Sequence, residues 1–394
     1  MPPMAQTVRV YTCQCGQPIY FVNSQCLSCG APLGYDPEQG NMMSLAQGTQ
    51  PGTWLESHSA EPNFVFCANR NSPASCNWLL PESEKHQHAG LCRACRLNRT
   101  VPKLDDPQHP DNGELWGRVE QAKRRVISAL LAMGLPVASR ETEDTANGLM
   151  FDILRSPGYG EHVMTGHNDG LITLNVAEAD YSKRERTRQT MNEPYRTLVG
   201  HFRHEIGHYY WYRLVDNPDS QWLPAFRELF GDENQDYAES LKKSYEEGPR
   251  PDWPLHFVSA YASVHPWEDW AECWAHYMHM RDTVDTAASY GLSLKAATKA
   301  EFTPFGTADL YQPKHPDALR FLAFLNRWTE LTMMLNGMSR AMGQPDFYPF
   351  VLPHEVVAKL HFIHFLVIAT SQEEALDDRR GDGSNGDARC SVDR

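Results

Sequence analysis

Residues 194–211 read Pro194-Tyr-Arg-Thr-Leu-Val-Gly-His-Phe-Arg-His-Glu-Ile-Gly-His-Tyr-Tyr-Trp211 and enclose His204-Glu205-Ile206-Gly207-His208. Side chains four apart on an α-helix project from one face, so both imidazoles can reach a single metal ion with the intervening glutamate beside it. That is the pattern of a zinc hydrolase helix. Asn192 is the expected cap and Pro194 suits a first turn, where a backbone N–H has no partner to lose, so the helix is expected to run from there to about Val215. Three fixed residues in five also occur by chance in amphipathic helices. A catalytic zinc further needs a third protein ligand and an open position for water.

The stretch Tyr261-Ala-Ser-Val-His-Pro-Trp-Glu-Asp-Trp-Ala-Glu-Cys-Trp-Ala-His-Tyr-Met-His279 can supply that ligand. Pro266 fits the first turn of a second helix, on which Glu268, Glu272 and Ala275 share a face. Glu268 is the expected ligand. Glu272, one turn on, is placed to accept the ring N–H of His204 and fix its tautomer. His265, His276 and His279 compete for the ligand position, although histidines on helices are more often packed or solvated. Ala271 is small enough for this helix to press against the first, and His201 is read as structural.

His-Glu-x-x-His followed by Glu-x-x-Ala-Glu resembles the gluzincin arrangement of metallopeptidases, and Glu268-Asp-Trp-Ala-Glu272 is similar to the second element of anthrax lethal factor and its relatives. Further segments occur in order along the chain: a cysteine-rich start, Cys92-Arg-Ala-Cys-Arg-Leu-Asn-Arg99 and Thr165-Gly-His-Asn-Asp-Gly-Leu-Ile-Thr-Leu-Asn175. With the two helices they resemble the bacterial zinc-binding metallopeptidases that carry an N-terminal zinc ribbon, over roughly residues 10–340. The resemblance implies peptide-bond hydrolysis with Glu205 as general base on a peptide or protein substrate. In the lethal-factor-like pattern a tyrosine seven residues before the glutamate ligand points at the zinc. Tyr261 holds that offset, which implies a hydroxyl able to steady an oxyanion.

Eight cysteines fall in the first 95 residues. Cys13-x-Cys15-Gly and Cys26-x2-Cys29-Gly have the spacing of two knuckles that together close a tetrahedral thiolate site, the glycines permitting the tight turns. Cys67, Cys76, Cys92 and Cys95 form a looser second set ending in Cys-x2-Cys. The competing reading is a disulfide framework. The start Met1-Pro-Pro-Met-Ala-Gln has no basic, apolar leader, so a cytoplasmic, reducing location and metal binding are expected. The expected complement is one catalytic zinc and one or two structural ones.

A formal net charge of −14 disfavours a chain whose main work is wrapping nucleic acid or an anionic membrane. Arg93, Arg96 and Arg99 cluster with Lys103 near the last Cys-x2-Cys, and a solvated face is preferred there over a phosphate contact. The longest apolar run, Leu360 to Ala369, is too short to span a bilayer and reads as a buried helix. The rival to a peptidase is a zinc-ribbon protein that binds nucleic acid or a regulatory protein and carries a latent or non-catalytic metal site. A protease of the Spartan type, tied to DNA, lies between the two.

The expected fold class is α+β: a zincin-like metallopeptidase domain, with a small antiparallel or mixed sheet plus helices, behind a small zinc-ribbon region with two four-cysteine sites. Its divisions are a ribbon region at 1–100, a Pro/Asp-rich linker at 101–113, the metallopeptidase domain at 114–370 and a disordered acidic tail at 371–394 that includes Cys390. Gly34 to Ser59 reads as a loop between two separate knuckles. Leu115 to Met133 reads as an amphipathic helix ending at Gly134, and Leu149–Leu154, Val163–Thr165 and Leu171–Val176 as strands of an antiparallel sheet. The last is the expected edge strand that holds a substrate backbone, with Leu171, Thr173 and Asn175 on one face. Asp317–Leu335 and His354–Ala369 read as scaffold helices.

Overall fold

A computed structural model describes residues 9–57, 59, 63–157, 163–190, 193–217, 220–292 and 305–383, the last nine as backbone only. The protein is α+β. In the cysteine-rich part, β1 (Tyr11–Thr12) and β2 (Pro18–Ile19) form a small ladder. An antiparallel meander follows: β3 (Leu33–Asp36), β4 (Asn41–Gln47), β5 (Trp54–Glu56), β6 (Asn63–Phe66) and β7 (Leu79–Pro81). Tyr35 and Trp78 bring the two ends together, their rings 4.9 Å apart. The expected loop from Gly34 to Ser59 is therefore corrected to sheet. Gly34 is paired within β3, and Gly40 and Gly52 sit at turns with positive φ. Met42, Met43, Ser44 and Leu45 are all buried, so no alternation marks the strand between them.

β8 (Asn98–Thr100) leaves the cysteine-rich part and joins the second sheet, ordered β10-β11-β9-β8, with β9 (Met150–Leu154), β10 (Gly166–Asn168) and β11 (Leu171–Asn175). β8 and β11 run parallel to β9, and only β10 is antiparallel. The sheet is thus mixed rather than antiparallel, and Gly166–Asn168, not Val163–Thr165, is the strand before the turn. β11 is interior, with its backbone paired on both sides, so Leu171, Thr173 and Asn175 do not lie on an edge strand. Among the described residues the edge on that side is β10. Parallel pairing of β9 with β11 could not be read from a turn-rich sequence that suggested successive hairpins.

α1 (Asn112–Ala132) buries Leu115, Trp116, Val119, Val126, Ile127 and Leu130 and stops before Gly134, whose φ is +67°. It begins inside the expected linker, and Asn112 donates to the Lys103 carbonyl at 2.8 Å. One continuous apolar core runs from the ribbon through α1 into the rest of the chain, so residue 100 does not separate two cores. α2 (Tyr181–Thr190) carries the mixed-charge run and buries no residue. α3 (Leu198–Leu214) is the motif helix. Its cap is Thr197, whose side chain accepts from Gly200 N, so it starts later than Pro194; Asn192 lies outside the described residues.

α4 (Leu223–Phe230), α5 (Tyr237–Glu247) and α6 (Trp253–His256) lead to α7 (Pro266–Ser289), the central helix, which buries Trp270, Trp274 and Tyr277 completely. α8 (Ala318–Ala341) and α9 (His354–Gly383) pack behind it. α9 continues past Thr370 through the first part of the expected disordered tail. No proline or glycine interrupts it before Gly381, so nothing local ends it. Residues 384–394, with Cys390, lie outside the described residues. Among those described, no helix is long and apolar enough to cross a membrane.

Candidate metal centre and active site

α3 and α7 cross at Gly207. A Cβ built there would lie 3.1 Å from Ala271 Cα and 3.2 Å from Trp274 Cβ, so the close approach needs glycine on one helix and alanine on the other. Trp270 Nε1 donates to the Gly207 carbonyl at 2.8 Å, and Tyr210 stacks on Trp274 with ring centroids 4.8 Å apart. This buried contact fixes the register that brings Glu268 opposite His204 and His208.

His204 Nε2 lies 3.0 Å and His208 Nε2 3.6 Å from Glu268 Oε2. The ligating atoms of the three residues all fall within 4.8 Å of one another. Glu268 Oε2 is buried and has no well-directed hydrogen bond among the described residues. An acceptor so placed, facing two imidazole nitrogens, matches a site for a cation. Burial opposes charge on His204, yet contacts with Glu268 and Glu272 hold its imidazole well above the usual range. Burial likewise opposes ionisation of Glu268, but His208 and His204 hold its carboxyl well below the usual range. The cluster favours positive charge at its centre. Burial raises the Glu205 carboxyl, the direction that suits a group exchanging protons.

Glu272 Oε1 accepts from His204 Nδ1 at 2.8 Å, and its Oε2 accepts from Ser259 Oγ at 2.6 Å. The competing histidines are engaged elsewhere. His265 caps α7, its Nδ1 accepting from Trp267 N at 3.1 Å while its Nε2 faces the Gln235 carbonyl at 3.1 Å. His276 meets Tyr348 and His279 meets Arg203, each at 2.5 Å. His201 Nδ1 is 3.6 Å from Glu178. The Tyr261 ring lies 5.9 Å from that of His204, and its residue is partly exposed. His208 is wedged between the rings of Trp267 and His167, the latter from β10.

Three residues near the cluster escape sequence reasoning. Tyr237, on α5, donates to Glu268 Oε1 at 2.8 Å. Ser259 braces Glu272, and His167 stands beside His208. Ser259 sits in a stretch with no apolar periodicity, and the four-residue spacing of Tyr237, Leu241 and Tyr245 marks a helical face without showing what that face meets. The histidine in Thr165-Gly-His-Asn was the available signal for His167.

The cysteines form two quartets. Cys13 and Cys29 sulfurs are 3.6 Å apart and those of Cys15 and Cys26 3.7 Å. In the second quartet Cys76 and Cys92 are 3.7 Å apart. A disulfide requires about 2.05 Å. The edge of a tetrahedron with Zn–S bonds of about 2.3 Å is about 3.8 Å, so the quartets have the dimensions of zinc–thiolate sites. Gly16 and Gly30 turn the first pair of knuckles at φ +83° and +75° and donate to Cys13 and Cys26 carbonyls. The second quartet is fully buried against α1, where Glu120 approaches Cys95 and Arg124 donates to the Ala74 carbonyl. Arg93 pairs with Glu38, Arg96 with Glu84 and Glu143, and Arg99 with Asp152, so each arginine of the expected basic cluster meets a carboxylate.

Fold and clusters together define a zinc-binding protein with a ribbon fused to a domain of metallopeptidase type. Residues 112–366 match the family described as "putative zinc-binding metallo-peptidase", and residues 10–106 match a zinc-ribbon domain. The chain belongs to that metallopeptidase family. It is 42% identical over 353 residues to uncharacterized proteins of Mycobacterium tuberculosis and Mycobacterium bovis, covering 90% of this chain and 93% of each relative. No solved structure matches it significantly.

Proposed function

We propose that the chain is a zinc-dependent peptidase of gluzincin type, with His204, His208 and Glu268 as the ligands of one catalytic ion and the two cysteine quartets holding structural zinc. The reading rests on the convergence of the three ligating atoms with Glu205 on the same turn of α3. Zinc, when bound, polarises the scissile carbonyl and acidifies the attacking water. Glu205 takes the proton from that water as its oxygen adds to the carbonyl carbon, then delivers it to the departing amine nitrogen as the C–N bond breaks. Tyr261 offers its hydroxyl to the oxyanion. Glu272 holds His204 in the tautomer whose Nε2 is free to ligate. The substrate backbone pairs with the edge strand β10, next to His208. Eight thiols used as metal ligands suit a reducing, cytoplasmic compartment.

Glu205→Gln tests the mechanism. The variant should keep its full zinc content and lose hydrolysis of an unstructured protein substrate by roughly 10²-fold or more. Full activity in that variant would overturn the assignment.

A further inference from the structure

Glu268 has two oxygens, and only Oε2 faces the histidines. Oε1 accepts a hydrogen bond from the Tyr237 hydroxyl at 2.8 Å. Tyr237 opens α5, a helix that buries no residue, is capped by the Asp236 side chain accepting from Glu239 N, and ends at Gly248 at positive φ. The Tyr237 ring packs edge-on against His265 and Trp267, 5.4 and 6.3 Å away between centroids. His265 in turn ties the start of α7 to the Gln235 carbonyl, two residues before Tyr237. The hydroxyl is therefore held by a short buttress from the same turn of α7 that carries Glu268.

We propose that Tyr237 is a positioning residue for the metal site: by occupying Oε1 it makes Glu268 a one-oxygen ligand and keeps the coordination position beside it open for substrate. This rests on the reading of His204, His208 and Glu268 as a metal site. A carboxylate can bind a metal through one oxygen or two, and a second oxygen would fill the position that a catalytic site leaves to water or substrate. An outer hydrogen bond to the non-ligating oxygen selects between the two modes and fixes the carboxylate's orientation. Tyr261 does not duplicate this role: its side chain meets the Tyr237 hydroxyl, and the hydrogen bond to Glu268 Oε1 comes from Tyr237.

The test is Tyr237→Phe, which removes one oxygen and keeps the ring contacts. Zinc affinity of the wild type and the variant is measured by chelator competition, and the visible spectrum is recorded with cobalt(II) in the same site. The variant should bind about tenfold more weakly. Its cobalt absorption should also weaken, as a carboxylate using both oxygens raises the coordination number, while thermal unfolding stays unchanged. Wild-type affinity and an unaltered cobalt spectrum in the variant would overturn the role of Tyr237 and leave the metal site standing. A wild type that takes up no metal beyond its cysteine quartets would overturn both.

Discussion

Replacing Glu272 gives a graded test of how the site is held. Its carboxylate makes two short contacts, 2.8 Å from His204 Nδ1 and 2.6 Å from Ser259 Oγ. Glu272→Ala removes a charged acceptor from the imidazole proposed as a metal ligand. Hydrogen bonds to charged groups contribute about 1.5–3 kcal/mol, and partners of this kind change metal affinity by about 10–100-fold. The two ranges agree, since tenfold is about 1.4 kcal/mol. Glu272→Gln keeps an acceptor for His204 and loses the charge, so a loss of about tenfold or less is expected. Ser259→Ala removes one brace from the opposite oxygen, about 1 kcal/mol. Zinc competition with a calibrated chelator, on protein whose cysteine sites remain loaded, should rank affinity as wild type, then Gln, then Ala. Equal affinity for wild type and Glu272→Ala would refute the claim that this carboxylate orients His204.

Gly207→Ala sets two effects against each other. Removing glycine from a helix interior gains about 1 kcal/mol, but the new methyl sits 3.1 Å from Ala271 Cα, and overpacking costs about 1–3 kcal/mol. Because the neighbour is backbone, the cost should win, and urea unfolding should show net destabilisation of about 0–2 kcal/mol. Gly207→Val should exceed it. Burial pushes the His361 imidazole, on α9, down to about 4. A histidine lowered on folding resists protonation that the unfolded chain accepts. Its contribution is full above about pH 6.5 and is lost as pH falls toward 4, by roughly 3 kcal/mol. His361→Gln should therefore flatten the fall of unfolding free energy across that window; an unchanged slope would remove His361 from the account.

What the sequence makes legible follows from helical spacing. His204 and His208, and Glu268 and Glu272, lie at offsets that place each pair on one face of its helix, and Ala271 signals a close approach; that the two faces meet is shown by the fold. Its counterpart Gly207 hides inside the motif as an unfixed position. The five-stranded meander is obscured by its short strands and by Met42 to Leu45, which are buried without alternation, and the position of β11 inside its sheet depends on pairing with β9 and β10, which sequence-local patterns do not carry. Tyr237 touches Glu268 from a helix that buries none of its residues, so only the fold places it. Cysteine spacing marked both quartets, yet burial of the second against α1 is a tertiary fact, and it joins most of the ribbon to the main core, while Met43, Leu45, Phe64 and Leu79 form a small cluster of their own.

Metal stoichiometry is the most direct measurement of the central claim. Protein purified without chelators should carry three zinc ions per chain, one for each cluster, and His204→Ala should carry two while remaining folded. Two ions in the wild type, or three retained in His204→Ala, would contradict a zinc site formed by His204, His208 and Glu268.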